Sequence, residues 1–109
     1  MAEQPVGGVV AGTLDLLILK TVALEPMHGW GVGRRIEQVT GFRLKLGSLY
    51  PALERLEAAG EIEAEWRLSD NNRRARYYRL TAIGRKRLAA EIRHWRRRID
   101  GILRLIEAT

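Results

Sequence analysis

A mainly α-helical chain with one small β-hairpin is predicted by three observations. Apolar residues recur at three- and four-residue steps in three short segments between residues 14 and 58, then alternate strictly between residues 61 and 68. From Leu88 onward they return at spacings of 4, 3, 4, 3 and 4, the seam of a long helix with a partner. With 109 residues, 46% hydrophobic and 29% charged, the chain has the composition of one folded domain.

Residues 1–12, with Gly7, Gly8 and Gly12 and no periodicity, read as a flexible N-terminal lead. Thr13 stands where an N-cap would, ahead of Leu14, Leu17, Ile18, Thr21 and Val22 at helical steps. This first helix ends near Glu25, because Pro26 disfavours helical geometry in the residue before it. The segment PMHG reads as a turn. A second helix runs from Trp30 to Val39, with Val32, Ile36 and Val39 on one face and Gly41 as its stop.

The third helix lies in GSLYPALERLEAAG, residues 47–60, where Pro51 demands an explanation. With Ser48 as N-cap, Pro51 would fall at the third helical position, where no intrahelical hydrogen bond is lost. Leu49, Leu53 and Leu56 then point inward. Pro51, Glu54, Arg55 and Ala58 point outward, flanked by Ser48 and Tyr50, and Gly60 supplies the stop.

Ile62, Ala64, Trp66 and Leu68 alternate with Glu61, Glu63, Glu65 and Arg67, a strand expected to bury one face. SDNNRRA is turn-forming, RYYRL is a second strand to Leu80, and one of Tyr77 and Tyr78 should reach the core. Thr81 caps the last helix, whose seam is Leu88, Ile92, Trp95, Ile99, Ile102 and Ile106. Six such residues exceed what one small domain buries, so a second copy of the chain is the expected cover. The organisation is therefore a lead over 1–12, a helical and hairpin unit over 13–80, and a dimerisation helix over 81–109.

The charge is segregated. Residues 67–98 hold twelve Lys or Arg against Asp70 and Glu91, within a chain of net charge +6. A concentrated positive field suits a polyanion, most often nucleic acid. Absent cysteines exclude a disulfide framework, a zinc finger and a thiol nucleophile, and fit a cytoplasmic setting. The run LDLLILKTVAL, interrupted by Asp15 and Lys20, is too short for a membrane span. His28 and His94 have no metal-ligand spacing, and no phosphate loop, acidic cluster or base near Ser48 points to an enzyme, so neither metal nor cofactor is expected.

Helix, helix, capped third helix and basic-tipped hairpin is the order of a winged helix-turn-helix, whose third helix enters the major groove while the wing reaches phosphates. Ser48, Tyr50, Pro51 and Arg55 are the candidate DNA contacts on that helix. Arg73, Arg74 and Arg76 are those of the wing, and Arg34, Arg35 and Lys45 are candidate phosphate clamps.

GTLDLLILKTVALEPMHGWGVGRRIEQ, GSLYPALERLEAAGEIEAEW and NNRRARYYRLTAIGRKRL together resemble the PadR family of bacterial transcriptional regulators over Gly12 to about Leu88. The resemblance implies a cytoplasmic homodimer that binds a pseudo-palindromic operator in double-stranded DNA, usually as a repressor, and that a small hydrophobic effector releases. It implies a single C-terminal helix packed on the partner's first helix, adding Leu14, Leu17 and Ile18 to the dimer contacts. It also makes Trp95 either plain dimer packing or the contact for a flat effector. One departure stands out: the link FRLKL before Gly47 is about two residues shorter than the form usual in that family. The rival reading is a dimeric winged-helix adaptor that binds protein or RNA without operator specificity.

Overall fold

The computed structural model describes residues 7, 8, 10 and 12–109; the rest of the N-terminal lead lies outside the described residues. Its helices are α1 (Leu14–Leu24), α2 (Gly29–Thr40), α3 (Leu46–Ala58) and the 26-residue α4 (Ala82–Glu107). Its strands are β1 (Gly7–Gly8), β2 (Met27–His28), β3 (Phe42–Arg43), β4 (Ile62–Leu68) and β5 (Arg74–Leu80). The architecture is winged-helix, mostly helical with a small antiparallel sheet and a long last helix, as the periodicities require.

α1 is apolar nearly all round, and a helix of that kind belongs in the middle. It packs against α2, α3, β5 and α4, and Ile18 and Leu19 are fully buried. From α2 come Val32 and Ile36, from α3 Leu49, Leu53 and Leu56, and from the sheet Ile62, Tyr78 and Leu80. Tyr78 is thus the core tyrosine, while Tyr77 meets His28 edge-on at 5.3 Å.

The hairpin pairs antiparallel from Ile62 with Leu80 out to Leu68 with Arg74, and its turn uses Asn72 in the left-handed region at φ 61°. Two short strands escape the sequence reading. Met27–His28, within the expected PMHG turn, pairs with Tyr77–Tyr78 and makes the sheet three-stranded. Gly7–Gly8, expected in the flexible lead, runs parallel to Phe42–Arg43. Strands of two residues are too short to show a period.

Local caps differ in detail as well. Thr13 occupies the N-cap position of α1, but its hydroxyl donates to the Val10 carbonyl at 2.6 Å instead of capping the helix. His28 caps α2, its Nδ1 accepting from Gly31 N at 2.9 Å. Thr81 caps α4 as expected, accepting from Gly84 N at 3.0 Å. Its hydroxyl also donates to the Gly60 carbonyl at 2.6 Å, which ties the start of α4 to the end of α3.

Two expected faces are corrected. Val39 is 75% exposed, because the core face of α2 stops at Ile36. On β4 only Ile62 is buried and Ala64 half-buried. Trp66 is 59% exposed and Leu68 also lies open, since the outer half of the hairpin projects past the helices that would cover it.

Candidate nucleic-acid interface

The largest correction concerns α3. Its N-cap is Lys45, with extended backbone at φ −81° and ψ 137°, and the Lys45 carbonyl accepts from Ser48 N and Leu49 N at 3.0 and 3.1 Å. Ser48 is therefore the third helical residue, not the cap, and Pro51 lies in the second turn. There Pro51 cannot donate to the Gly47 carbonyl, so one regular helical hydrogen bond is lost after all. Gly47 makes this tolerable: it is exposed and open space surrounds the position a side chain would take, so its carbonyl stays accessible to water. With no side chain on Lys45 capping, the amides of Leu46 and Gly47 head an exposed helix N-terminus that suits phosphate.

The short link into α3 is held by hydrogen bonds. Gly41, at φ 75°, donates to the Glu37 carbonyl at 2.9 Å, Phe42 N donates to Thr40 Oγ1 at 3.0 Å, and Leu44 N donates to Glu37 Oε2 at 2.8 Å. A link whose amides are so engaged fixes the exit direction of α2 and the entry angle of α3. The α2–α3 approach is close because Gly33 leaves room for Leu49, and Gly29 leaves room for Tyr50, whose Cε1 would lie 2.8 Å from an added Cβ.

Between α3 and the wing runs an open groove of about 700 Å³, lined by Tyr50 and Glu54 on one side and Trp66, Arg73, Arg74 and Arg76 on the other. Trp30, at the start of α2, also lines it, with the Arg34 guanidinium 5.5 Å over its ring. Trp66 carries Arg74 at 5.1 Å and Arg76 at 6.0 Å from its ring centre. An indole flanked by guanidiniums holds long side chains in place without neutralising them.

The predicted contacts thus fall into different settings. Ser48, Tyr50 and Pro51 lie exposed on α3, and Lys45 is exposed at its cap. Among the described residues, Arg73 and Arg74 have no acidic partner within salt-bridge distance. Arg76 is bound to Glu57 of α3 at 2.6 Å, which fixes the wing against the helix, and its Nε is buried without a partner. Arg35 pairs with Glu25 at 3.5 Å. Arg55 is turned toward α1 and gives both Nη atoms to Asp15 at 2.8 and 2.7 Å.

Trp30, Trp66 and Asp15 are the residues of this region that the sequence reading passed over. For the two tryptophans the available signal was an arginine close by in sequence, Arg34 after Trp30 and Arg67 after Trp66; for Asp15 there was none short of the fold. Of the predicted dimer contacts, Ile18 is fully buried in the core and has no surface to offer a partner, so that assignment is corrected. Leu14 and Leu17 are half-buried. Along α4, Leu88 is buried, Ile92 and Trp95 are half-buried, and Ile99, Ile102 and Ile106 are exposed.

A helix-turn-helix whose third helix stands beside a cationic wing defines a winged-helix DNA-binding regulator of transcription. Residues 18–90 match the model of the Transcriptional regulator PadR-like family, and the chain belongs to that family. It is a transcription regulator rather than an enzyme. Transcriptional regulator Rv3488 of Mycobacterium tuberculosis is 38% identical over 78 residues, covering 72% of this chain and 71% of that protein. A 37.1 kDa protein in transposon Tn4556 of Streptomyces fradiae is 41% identical over 87 residues, which is 80% of this chain but 24% of that larger protein. The crystal structure of a PadR family transcription regulator from Clostridium difficile superposes with a TM-score of 0.77 at 26% identity, covering 87% of this chain and 99% of that one. Among the described residues no helix is long and apolar enough to cross a membrane.

Proposed function

We propose that the protein is a homodimeric repressor that sets the N-terminal half of α3 into the major groove of a pseudo-palindromic operator. The observation that carries this reading is the groove itself: Tyr50 on one side and, on the other, Arg73 and Arg74 with no acid within salt-bridge distance among the described residues, beside an exposed helix N-terminus at Leu46 and Gly47. Tyr50 and Ser48 are the candidates for base edges, since hydroxyls can donate or accept there. Arg73 and Arg74 take phosphates, and Lys45 and Arg34 clamp the backbone around them. Arg35 and Arg76, already paired with acids, contribute less.

The second copy supports the other half. Ile102 is 59% and Ile106 71% exposed on the last turns of α4, and an apolar stripe of this kind is stable in water only when covered. Ile99, Ile102 and Ile106 would pack on the partner, with Leu14, Leu17, Ile92 and Trp95 at the rim of the same surface. Trp95, half-buried with Arg98 5.1 Å over its ring, is where a small flat hydrophobic effector would meet the protein and release DNA.

The test is binding to duplexes selected from genomic fragments, with light scattering on the same sample. The Tyr50→Ala/Arg74→Ala double variant should bind at least about tenfold more weakly. Loss of each phosphate contact should lower the salt slope by about 0.9. Unchanged affinity in that variant would overturn the interface, and a monomer at micromolar concentration would overturn the dimer.

A further inference from the structure

Opposite the wing, the edge of α3 that faces α1 belongs to a second cluster of charges that the DNA reading does not use. Asp15, the second residue of α1, accepts from both Nη atoms of Arg55 on α3. Its Oδ2 also accepts from Arg87 Nη2 on α4 at 2.7 Å. Arg87 Nη1 donates to Glu61 Oε2 at 2.6 Å, just beyond the end of α3, and Glu91 lies one turn along α4 at 3.6 Å. Two guanidiniums are thus held among three carboxylates drawn from four places in the chain.

We propose that Asp15 is a positioning residue for DNA reading: its carboxylate pins the recognition helix to α4 through Arg55 and Arg87. α3 and α4 both pack on α1 rather than broadly on each other, so the charged node, running through Asp15 of α1, joins the Thr81 hydrogen bond to Gly60 in tying them together. The Asp15 carboxylate is 15% exposed and that of Glu61 12%, which favours their bonds to the half-buried Arg87, while the Arg55 side of its pair stays 58% exposed and open to solvent screening. Arg55 meets both oxygens of Asp15, one through each Nη, a two-point contact that fixes the rotation of α3 about its own axis as a single-point contact would not. Arg87 meanwhile grips Glu61, just beyond the C-terminal end of the same helix whose last turn carries Arg55, so a tilt of α4 moves that end of α3 and swings its N-terminal half. Arg55 therefore acts through Asp15, not by touching DNA.

This inference rests on the reading that α3 enters DNA, and the experiment separates the two. Asp15→Asn, Arg55→Gln, their double variant and Tyr50→Ala, each in the whole 109-residue chain, are compared on a duplex selected from genomic fragments, with affinity measured over a range of salt. Asp15→Asn and Arg55→Gln should each weaken binding about tenfold. Their salt slopes should stay as in wild type, and the double variant should be no weaker than either single one, because both remove the same tie. Arg55→Gln keeps an exposed position hydrated and should fold even where Asp15→Asn is compromised, and melting curves check this. A salt slope lowered by about 0.9 in Arg55→Gln, with additive losses in the double variant, would make Arg55 a phosphate contact and overturn the pin. So would tighter binding by Asp15→Asn, which would mean that Arg55 was freed for DNA, or unchanged affinity in both single variants. If Tyr50→Ala alone leaves affinity unchanged, the placement of α3 in DNA fails, whatever the other variants show.

Discussion

Arginines on the two sides of one helix differ in what stands next to them. On the wing side, Arg74 lies 5.1 Å over the Trp66 ring and, like Arg73, has no acid within salt-bridge distance among the described residues. On the α1 side, Arg55 and Arg87 share Asp15, and Arg87 holds Glu61 as well. The residue type is the same, yet one pair keeps its field for an external anion and the other spends it inside the protein. An aromatic neighbour orders a guanidinium without cancelling it, whereas a carboxylate does both. A basic composition alone therefore does not say which arginines read DNA.

The sharpest way to break the internal side is at Gly84. In the first turn of α4 this residue packs so tightly on the α3–β4 junction that an added Cβ would lie 2.0 Å from the Glu61 carbonyl oxygen and 2.7 Å from Leu80 Cδ1. The carbonyl belongs to the backbone and cannot swing aside. Gly84→Ala must lift α4 away, which parts Arg87 from Glu61 and strains the Thr81 cap. Destabilisation of about 3 kcal/mol or more is expected, measurable by urea melts; a loss below about 0.5 kcal/mol, the range of ordinary surface substitutions, would show that the junction yields.

Trp66 tests the wing side, with a smaller effect. The ring is 59% exposed, so Trp66→Ala should change stability little, while its stacking on Arg74 and Arg76 is worth about 0.5–1 kcal/mol. Operator affinity should fall by a few-fold through a less ordered Arg74. The salt slope should hold, since no charge is removed. A slope that dropped with the affinity would instead mean that the arginines left the phosphates altogether.

The same contrast explains what was legible beforehand. α1, α2, the hairpin and α4 follow from periodicity, and Thr81 caps α4 where a threonine ahead of a helical run should. The groove residues Tyr50, Arg73 and Arg74 were also readable, because a helix face and a hairpin tip are local features. The start of α3 was not: Ser48 has the better capping side chain, but the backbone turns at Lys45, guided by a link held through Thr40 and Glu37. Trp66 and Val39 sat on apolar faces, and a period reveals a face without revealing whether anything covers it. Ile18 entered the dimer contacts through the family resemblance, which sets the partner's last helix on helix 1, and only packing shows which stripe of that helix is innermost. The Asp15 node was invisible for a simpler reason, since Arg87 is 72 residues away in sequence and nothing local relates them.

Acid provides the gentlest test of the internal side. The Asp15 carboxyl is held below its ordinary value of 3.8, chiefly by the hydrogen bonds from Arg55, with burial opposing and Arg87 assisting. A carboxyl with a depressed value in the folded state adds stability that is present in full well above 3.8, its unfolded value, and lost as pH falls through its lower folded value. The stability gap between wild type and Asp15→Asn should therefore be constant near neutrality and close in acid, as protonation removes from wild type what the amide never had. Urea melts of both proteins over that range measure it. The wing side supplies the control: Trp66→Ala involves no carboxylate, and its gap from wild type should not move with acid. A gap for Asp15→Asn that persisted undiminished at the lowest pH would mean that the side chain contributes by packing and shape, and that its charge is not what holds α3.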